Sequence, residues 1–241
     1  MGKLVDIVIP LGCGSTHDNW ELRMALRSIE RFAGNCGSVY IVCDTPPSWV
    51  QKVKILYCPD THKHNKDANI IDKLSAAARL PELSEKFIFW SDDQIALRRF
   101  DAGHLPPVYN RRGYQDFSGK RIWHRRMRNT LDYLQRQKIT VYWNWDAHTP
   151  QPMNKKKLLE LFAQIDYHTV PGYCVNTLYF GLQRTPAQIV QENLKATVEK
   201  AAKLAVLPLD KLFLGYNDAA WQGNLPDLLE KFLPDRSRYE K

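Results

Sequence analysis

The chain has 241 residues, of which 44% are hydrophobic and 25% are charged, and this length suits one large α/β domain or one domain with a small appendage. No stretch approaches 18 apolar residues, and no signal-like segment precedes the first apolar run, so we expect no membrane-spanning segment. We expect a cytoplasmic protein with no membrane partner. The 34 Lys and Arg exceed the 26 Asp and Glu, which gives a net charge of +8.

The cysteines indicate a reducing compartment rather than a disulfide or metal framework. Their number is odd and no two have the spacing CxxC: Cys13, Cys36, Cys43, Cys58 and Cys174. We therefore expect free thiols, and the cysteine spacing predicts no zinc site.

Strands and helices alternate in the first 97 residues. Short apolar runs at 5–11, 38–44, 53–58 and 87–90 predict strands, and helical spacing of apolar residues predicts helices at 15–32 and 68–79. This alternation implies a mostly parallel, doubly wound sheet. Neither GxGxxG nor GxxxxGK[ST] occurs, so the two common phosphate loops are not present in the sequence.

Two neighbouring carboxylates, Asp92 and Asp93, follow the apolar run 87–90. A continuous apolar run predicts a strand that is buried on both faces, and ligands of open α/β sheets bind outside the carboxyl ends of such strands. Adjacent carboxylates repel each other unless a cation neutralises them, so a hard divalent metal that bridges to a phosphate is one interpretation. The alternative is an acidic pair that only begins a turn.

Other polar side chains of this half are candidates for ligand contacts. Asp44 ends the second strand, where a carboxylate accepts hydrogen bonds from a ribose or a base, or caps a turn. Arg23 and Arg27 are four residues apart and share one helix face, and Lys66 lies in the polar loop 59–67. A solvated surface is the plain alternative for these cations.

The segment 98–138 carries eleven Lys and Arg against three Asp and so accounts for the whole net charge. Aromatic residues alternate with the arginines, and residues 122–137 predict a basic helix. Such a surface is typical of polyanions with exposed bases. Two alternatives remain: the segment could be a solvated basic surface, or it could bind the phosphates of the donor. The candidate nucleic-acid contacts are Arg111, Arg112, Arg121, Arg125, Arg126 and Arg128.

A strand is also predicted at 141–150, followed by a helix at 155–165. On an extended strand Asp146 and His148 would point to the same side. The two side chains could then act as a base with its orienting partner, or as metal ligands. The alternative is a structural role, which is common for a lone histidine. Further along, 175–180 predicts a helix or a strand, 188–205 and 227–232 predict helices, and the charged tail 234–241 is expected on the outside.

Several motifs, taken in order, carry a family resemblance. They are Leu-Arg-Met-Ala-Leu-Arg-Ser-Ile-Glu-Arg-Phe at 22–32, Tyr-Ile-Val-Cys-Asp at 40–44, Leu-Ser-Glu-Lys-Phe-Ile-Phe-Trp-Ser-Asp-Asp at 83–93, and His-Thr-Pro at 148–150 before a Lys-rich helix. This order resembles the Stealth proteins, sugar-phosphate transferases of capsule synthesis and of lysosomal enzyme tagging, and more broadly the GT-A glycosyltransferases. The chain is also similar to small phage-type sugar transferases, some of which glycosylate hydroxymethylated pyrimidines in DNA.

The resemblance implies a GT-A-like, Rossmann-like α/β fold, with a mostly parallel twisted sheet flanked by helices. Within a single catalytic domain over 1–241, it implies a nucleotide-sugar-binding half at 1–97 and a basic acceptor-binding insertion at 98–138. Residues 139–241 would form the acceptor and catalytic half, which ends in helices.

The resemblance also implies roles for particular residues. Asp92 and Asp93 would hold Mn²⁺ or Mg²⁺ on a nucleotide-diphosphate sugar, with a UDP-sugar favoured, and Asp92 would also contact this donor. Asp44 would contact the nucleoside, and Arg27, Arg23 and Lys66 would face its phosphates. Asp146 or His148 would be the base that activates the acceptor hydroxyl.

Three functions follow as hypotheses. The first is transfer of a sugar to 5-hydroxymethylpyrimidine in phage DNA, presented as a flipped base. The second is a Stealth-like sugar-phosphate transferase that acts on a polysaccharide. The third, not an enzyme, is a nucleic-acid-binding module whose acidic pair is only a turn.

Overall fold

A five-stranded sheet forms the centre of the computed structural model of the protein, which describes residues 4–201 and 203–241. The strands are β1 (Val5–Pro10), β2 (Ala33–Gly34), β3 (Cys36–Cys43), β4 (Lys54–Tyr57), β5 (Lys86–Phe89), β6 (Gln94–Ala96), β7 (Phe100–Asp101), β8 (Val108–Tyr109), β9 (Gln151–Asn154), β10 (Ile189–Val190), β11 (Lys195–Val198) and β12 (Phe213–Tyr216). The helices are α1 (Trp20–Phe32), α2 (Lys66–Ala78), α3 (Ile122–Arg136), α4 (Lys155–Phe162), α5 (Val175–Leu182), α6 (Gln191–Leu194) and α7 (Leu225–Phe232).

The central sheet has the order β4-β3-β1-β5-β9 and confirms the prediction of an α/β fold. β1 pairs in parallel with both β3 and β5, and β3 pairs in parallel with β4. β9 runs antiparallel to β5 at the far edge, so the sheet is mixed. The inner strands β1, β3 and β5 are mostly apolar and buried, as expected for strands with both faces covered, whereas the edge strand β4 is largely exposed.

Alternate residues of β1 supply the two cores. Ile7 and Ile9 pack on one face with α1 and α7, and Val8 packs on the other face with α2, α4 and α5. The three residues are completely buried. This period of two along the strand gives three layers, with helices on both faces of the sheet.

A smaller sheet, of order β11-β12-β6, lies beside the carboxyl edge of the central sheet. β6 follows β5 after a tight turn and pairs antiparallel with β12, and β12 pairs in parallel with β11. The chain therefore returns from its last third to the segment that carries Asp92 and Asp93.

Several predicted helices are confirmed. The basic helix is α3, the Lys-rich helix is α4, and 175–180 is helical as part of α5. α7 begins at Leu225 and has Pro226 in its first turn, where a missing backbone N–H costs nothing. None of the helices in the described ranges is long and apolar enough to cross a membrane.

Two sequence predictions about elements are wrong. Residues 188–205 do not form one helix: in the described part only the short α6 is helical, and it lies between the strands β10 and β11, which pair with β8 and β12; residue 202 lies outside the described residues. Residues 141–150 do not form a strand, because only Asn144 makes a bridge, to Asn110. Long-range strand pairing overrides local propensity at 188–205, whereas 141–150 has no strand partner beyond that single bridge.

The charged tail, which was predicted on the outside, is only partly exposed: residues 234–236, 238 and 241 are exposed, whereas residues 237, 239 and 240 are buried. Tyr239 and Glu240 are buried, and Glu240 forms an antiparallel bridge with Val50. The backbone N–H of Gln51 donates to the Tyr239 carbonyl at 2.8 Å, and that of Lys241 donates to the Trp49 carbonyl at 2.8 Å. The tail therefore pairs with residues 49–51, which precede the edge strand β4 of the central sheet.

Candidate functional site

Asp92 and Asp93 lie in a tight turn between β5 and β6, at the carboxyl edge of the central sheet. The turn is closed by the backbone N–H of Gln94, which donates to the Ser91 carbonyl at 3.2 Å. Trp90 is completely buried beneath it, and its indole N–H donates to the Gln94 carbonyl at 2.8 Å. The apolar run thus anchors the turn and leaves both carboxylates, which are half-buried, at the sheet edge.

The two carboxylates have opposite pKa shifts. Burial, and then the charge of Asp93, raises the pKa of Asp92 to about 7. Burial acts against ionisation of Asp93 as well, but the neighbouring His148 outweighs it and lowers the pKa of Asp93. Lys66 favours the charged form of both. Two adjacent groups of like charge are therefore only partly compensated by cations of the chain.

His148 is the nearest basic side chain to the pair, with its Nε2 2.9 Å from Oδ1 of Asp93. These atoms are not aligned for a hydrogen bond, and Oδ1 has no hydrogen-bond partner among the residues that the structure describes. His148 has a positive φ of 53°. A Cβ on Gly215 would lie 3.0 Å from both Nδ1 and the carbonyl oxygen of His148, so β12 approaches this ring closely.

β12 and β11 add two buried groups that sequence reasoning missed, Tyr216 and Lys195. The backbone N–H of Tyr216 donates to the Asp93 carbonyl at 3.4 Å, and its buried hydroxyl lacks a hydrogen-bond partner in the described chain. Lys195 Nζ donates to the Ala147 carbonyl at 2.7 Å, and burial lowers the pKa of this lysine to about 8. No local pattern marks either residue, because strand pairing distant in sequence brings them to the site.

The first turn of α2 lies close to the acidic pair. Asn65 caps this helix by accepting a hydrogen bond from the Ala68 N–H at 3.1 Å. Lys66 is exposed and favours ionisation of both site aspartates, so the structure brings this predicted cation to the site. Asp67 pairs with Arg126 at 2.9 Å, yet burial raises the pKa of Asp67 to about 6.

Asp146 and His148 do not share one side of a strand, contrary to prediction. The backbone N–H of Asp146 donates to Asn144 Oδ1 at 3.1 Å, and the positive φ of His148 ends any extended run. The Asp146 carboxylate instead accepts hydrogen bonds from the backbone N–H and the hydroxyl of Thr177, at 3.0 and 2.5 Å. It therefore caps the first turn of α5, where unpaired N–H groups favour a negative charge.

Arg23 and Arg27 contact the C-terminal tail rather than the acidic pair. Arg27 donates to both carboxylate oxygens of Glu240. Arg23 pairs with Asp18 at 3.0 Å, and its guanidinium lies 4.0 Å from the centre of the Trp49 ring. Binding of donor phosphates by Arg23 and Arg27 stays a prediction. It would require both arginines to give up their present contacts.

Asp44 is exposed at the carboxyl end of β3, on the same edge of the sheet as the acidic pair. A further lysine, Lys73, anchors this edge from α2. Its buried Nζ donates to the Leu11 carbonyl at 2.7 Å and to Asp60 Oδ1 at 2.5 Å, which fixes the segments after β1 and β4. In the sequence, Lys73 lies among the apolar positions of α2. This pattern indicates a buried lysine, and sequence reasoning missed it.

The six arginines proposed to contact nucleic acid fall into two groups. Arg126 and Arg128 are engaged within the chain: Arg126 pairs with Asp67, and Arg128 donates to the Phe117 and Gly119 carbonyls. The others are exposed, and they are Arg111, Arg112, Arg121 and Arg125. The guanidinium of Arg112 lies 5.1 Å from the centre of the Phe117 ring and 5.3 Å from that of Trp123, which gives a cation–aromatic surface.

The fold and this site together define an α/β protein that presents a carboxylate pair, a histidine and two lysines at the carboxyl edge of its mixed sheet. No protein-family model matches the sequence. A comparison with curated proteins found no significant match.

Proposed function

We propose that the chain is a metal-dependent glycosyltransferase with a GT-A-like fold, which moves a sugar from a nucleotide-diphosphate donor to an acceptor hydroxyl. The observation that carries the proposal is the pair of adjacent, half-buried carboxylates, Asp92 and Asp93, of which Asp93 has His148 Nε2 at 2.9 Å while the pKa of Asp92 is raised to about 7 by burial and by the charge of Asp93. Such a pair at the end of a central strand suits a ligand that brings positive charge.

The donor set fits a hard divalent cation. Asp92 and Asp93 offer carboxylate oxygens, and Glu21 at the start of α1 is close enough for its charge to act on Asp92. Mn²⁺ or Mg²⁺ prefers such oxygens together with phosphate oxygens. When bound, the cation would neutralise the charge that develops on the leaving diphosphate.

The remaining side chains would bind the donor and move a proton. Lys66 is exposed, its charge acts on Asp93, and it would contact the phosphates of the donor, with a UDP-sugar favoured. Asp146 is occupied by Thr177, which leaves His148 as the candidate base for the acceptor hydroxyl. Asp44 would contact the nucleoside from the end of β3.

The favoured acceptor is DNA with 5-hydroxymethylpyrimidine. Support comes from the ion pair between Arg126 and Asp67. Asp67 is the neighbour of Lys66 in the first turn of α2, so this pair holds the basic helix α3 against the part of α2 that carries Lys66. Arg121 and Arg125 are exposed on that helix and would contact phosphates, while the reacting base is flipped toward His148.

The same cationic surface also fits an anionic polysaccharide, and this supports a second candidate, a Stealth-like sugar-phosphate transferase. The mass of the product separates the two candidates, since one adds a sugar and the other a sugar phosphate. The third candidate, a binding module without catalysis, predicts DNA binding but no metal-dependent binding of a nucleotide.

Calorimetry with UDP and other nucleoside diphosphates, with and without Mn²⁺, tests the donor site. We expect binding only with Mn²⁺, and we expect Asp93→Ala to abolish it while the circular dichroism spectrum is unchanged. Asp101→Ala is the matched control, because Asp101 also contacts a histidine, His104, at 2.9 Å but lies in the 98–138 segment. Metal-independent binding, or equal loss in both variants, would contradict the proposal.

A further inference from the structure

A second group of potential metal ligands lies on α2 and the loops that flank it, and it consists of His62, Asp72 and His168. One ring nitrogen or carboxylate oxygen from each residue lies within 4.8 Å of the others. His62 Nε2 is 2.9 Å from Asp72 Oδ2, and His168 Nε2 is 3.7 Å from Asp72 Oδ1. The two imidazole rings stack with their centres 4.7 Å apart.

Neighbouring residues hold this group in position. The Tyr167 hydroxyl donates to Asp72 Oδ1 at 2.7 Å, which leaves lone pairs on both oxygens available. Asn69 fixes His62 from both sides: its Oδ1 accepts from the His62 N–H at 2.9 Å, and its amide donates to the His62 carbonyl at 3.1 Å. The Asn69 bonds fix the backbone of His62, and the hydrogen bond from Tyr167 to the Asp72 carboxylate is of the kind that orients ligands in known metal sites.

The spacing of the ligand atoms is close to what a single ion requires. In tetrahedral coordination with metal–nitrogen bonds of about 2.0–2.1 Å, ligand atoms are about 3.4 Å apart. The side chain of His168 is 50% exposed and that of His62 is 25% exposed, so small rotations of both rings would bring the atoms to that separation.

We propose that His62, Asp72 and His168 bind one divalent transition metal of the Zn²⁺ class. Two imidazoles and one carboxylate favour Zn²⁺ or Co²⁺ over the hard cations Mg²⁺ and Mn²⁺. Because the His168 side chain is 50% exposed, water could supply a fourth ligand. The expectation of no zinc site rested on cysteine spacing and did not consider these histidines.

The metal would join three segments that are distant in sequence. His62 belongs to the loop after β4, Asp72 to α2, and His168 to the loop after α4. Asn65 already links the two loops by donating to the Tyr167 and Thr169 carbonyls, at 2.9 and 3.0 Å. A bound ion would therefore stiffen the loop that leads into Lys66, and this proposal does not depend on transferase activity.

Titration of the full-length, metal-free chain with Co²⁺ tests the site, because Co²⁺ has visible absorption bands that report its ligands. We expect a saturable band at one Co²⁺ per chain, which Zn²⁺ displaces. His168→Ala and His62→Ala should lose it. His104→Ala is the matched control, since His104 also contacts an aspartate at 2.9 Å without a second imidazole. Asp93→Ala should keep the band and so separates this site from the proposed donor site.

A band that survives in His168→Ala, or that disappears in Asp93→Ala, would overturn the proposal. A second measurement needs no variant: modification of histidines in the wild-type chain by diethyl pyrocarbonate, mapped by mass spectrometry. Zn²⁺ should protect His62 and His168 at least tenfold and leave the exposed His64 and His104 reactive. Equal reactivity with and without Zn²⁺ would also overturn it.

Discussion

Arg27 on α1 and Glu240 in the tail form a bidentate ion pair across 213 positions of the chain. Nε lies 2.8 Å from Oε1, and Nη2 lies 2.9 Å from Oε2. The side chain of Glu240 has no exposed surface, and the backbone N–H of Ser237 also donates to Oε1 at 2.9 Å. The charge of Glu240 is therefore buried but well compensated.

We expect Glu240→Ala to destabilise the protein by about 3–5 kcal/mol, because it leaves the mostly buried Arg27 without its counter-charge. The free energy of unfolding in urea measures this loss. Glu30→Ala is the control, since Glu30 pairs with the exposed Arg238 at 3.5 Å, and such a pair is worth about 0–1 kcal/mol. Equal losses in the two variants would show that the buried ion pair contributes no more to stability than the exposed one.

The same carboxylate should make stability depend on acid. Burial alone would raise the pKa of Glu240, but the hydrogen bonds from Arg27 and Ser237 outweigh burial and lower it. A lowered pKa in the folded state contributes stability that is present above the usual value near 4.5 and is lost as the pH falls through the folded pKa. In Glu240→Gln, unfolding free energies measured from pH 6 to pH 3 should fall less steeply than in the wild type.

Asp92→Asn should stabilise the metal-free protein at pH 8 while it abolishes metal-dependent donor binding. The raised pKa of Asp92 means that ionisation opposes folding as the pH rises from about 4 to 7. Removal of this charge should add about 1–2 kcal/mol to the unfolding free energy at pH 8 and almost nothing at pH 4. Asp101→Asn should show no such gain, since the pKa of Asp101 is lowered by its hydrogen bond with His104.

Arg125→Glu should weaken binding of double-stranded DNA and leave the fold intact, because Arg125 is exposed on α3. Fluorescence anisotropy over a salt series should give a shallower dependence of log K on log salt, by about one unit of slope or more. Lys157→Glu makes the same charge change on α4 and should have a much smaller effect. Similar losses in the two variants would indicate attraction to net charge rather than to the α3 surface.

Gly172→Ala should destabilise the protein by about 2 kcal/mol or more. Gly172 has φ of +87°, and an added Cβ would overlap the side-chain amide of Asn65, which caps α2. The melting temperature should fall by several degrees. Gly14→Ala provides the comparison: an added Cβ there meets nothing within 4 Å, so its melting temperature should change little.

Four of the five strands of the central sheet were predictable because they are continuous apolar runs with local helices or turns between them, whereas β9 was not predicted. β1, β3, β4 and β5 each end within two residues of the predicted position, and Asp92 and Asp93 lie at the carboxyl edge as expected. A buried parallel strand is apolar along its whole length, so its position can be recognised from that segment alone.

The second half was harder to predict because its short strands depend on distant partners. Lys195 was placed in a helix, yet it pairs with Phe213 in a strand and lies buried near Asp93. Asp146 was expected to work beside His148, yet it caps α5 through Thr177. Strands of two to four residues have no periodicity of their own, so their register comes from contacts that no local window contains.

The burial of Glu240 against α1 also bears on the order of events during synthesis. α1 and β4 leave the ribosome early, whereas residues 237–240, which cover Arg27 and the Trp49 edge, are made much later. Until residue 240 has been synthesised, Arg27 lacks its buried partner and the edge beside Val50 stays open. The N-terminal half is therefore completed only after residue 240 has been synthesised.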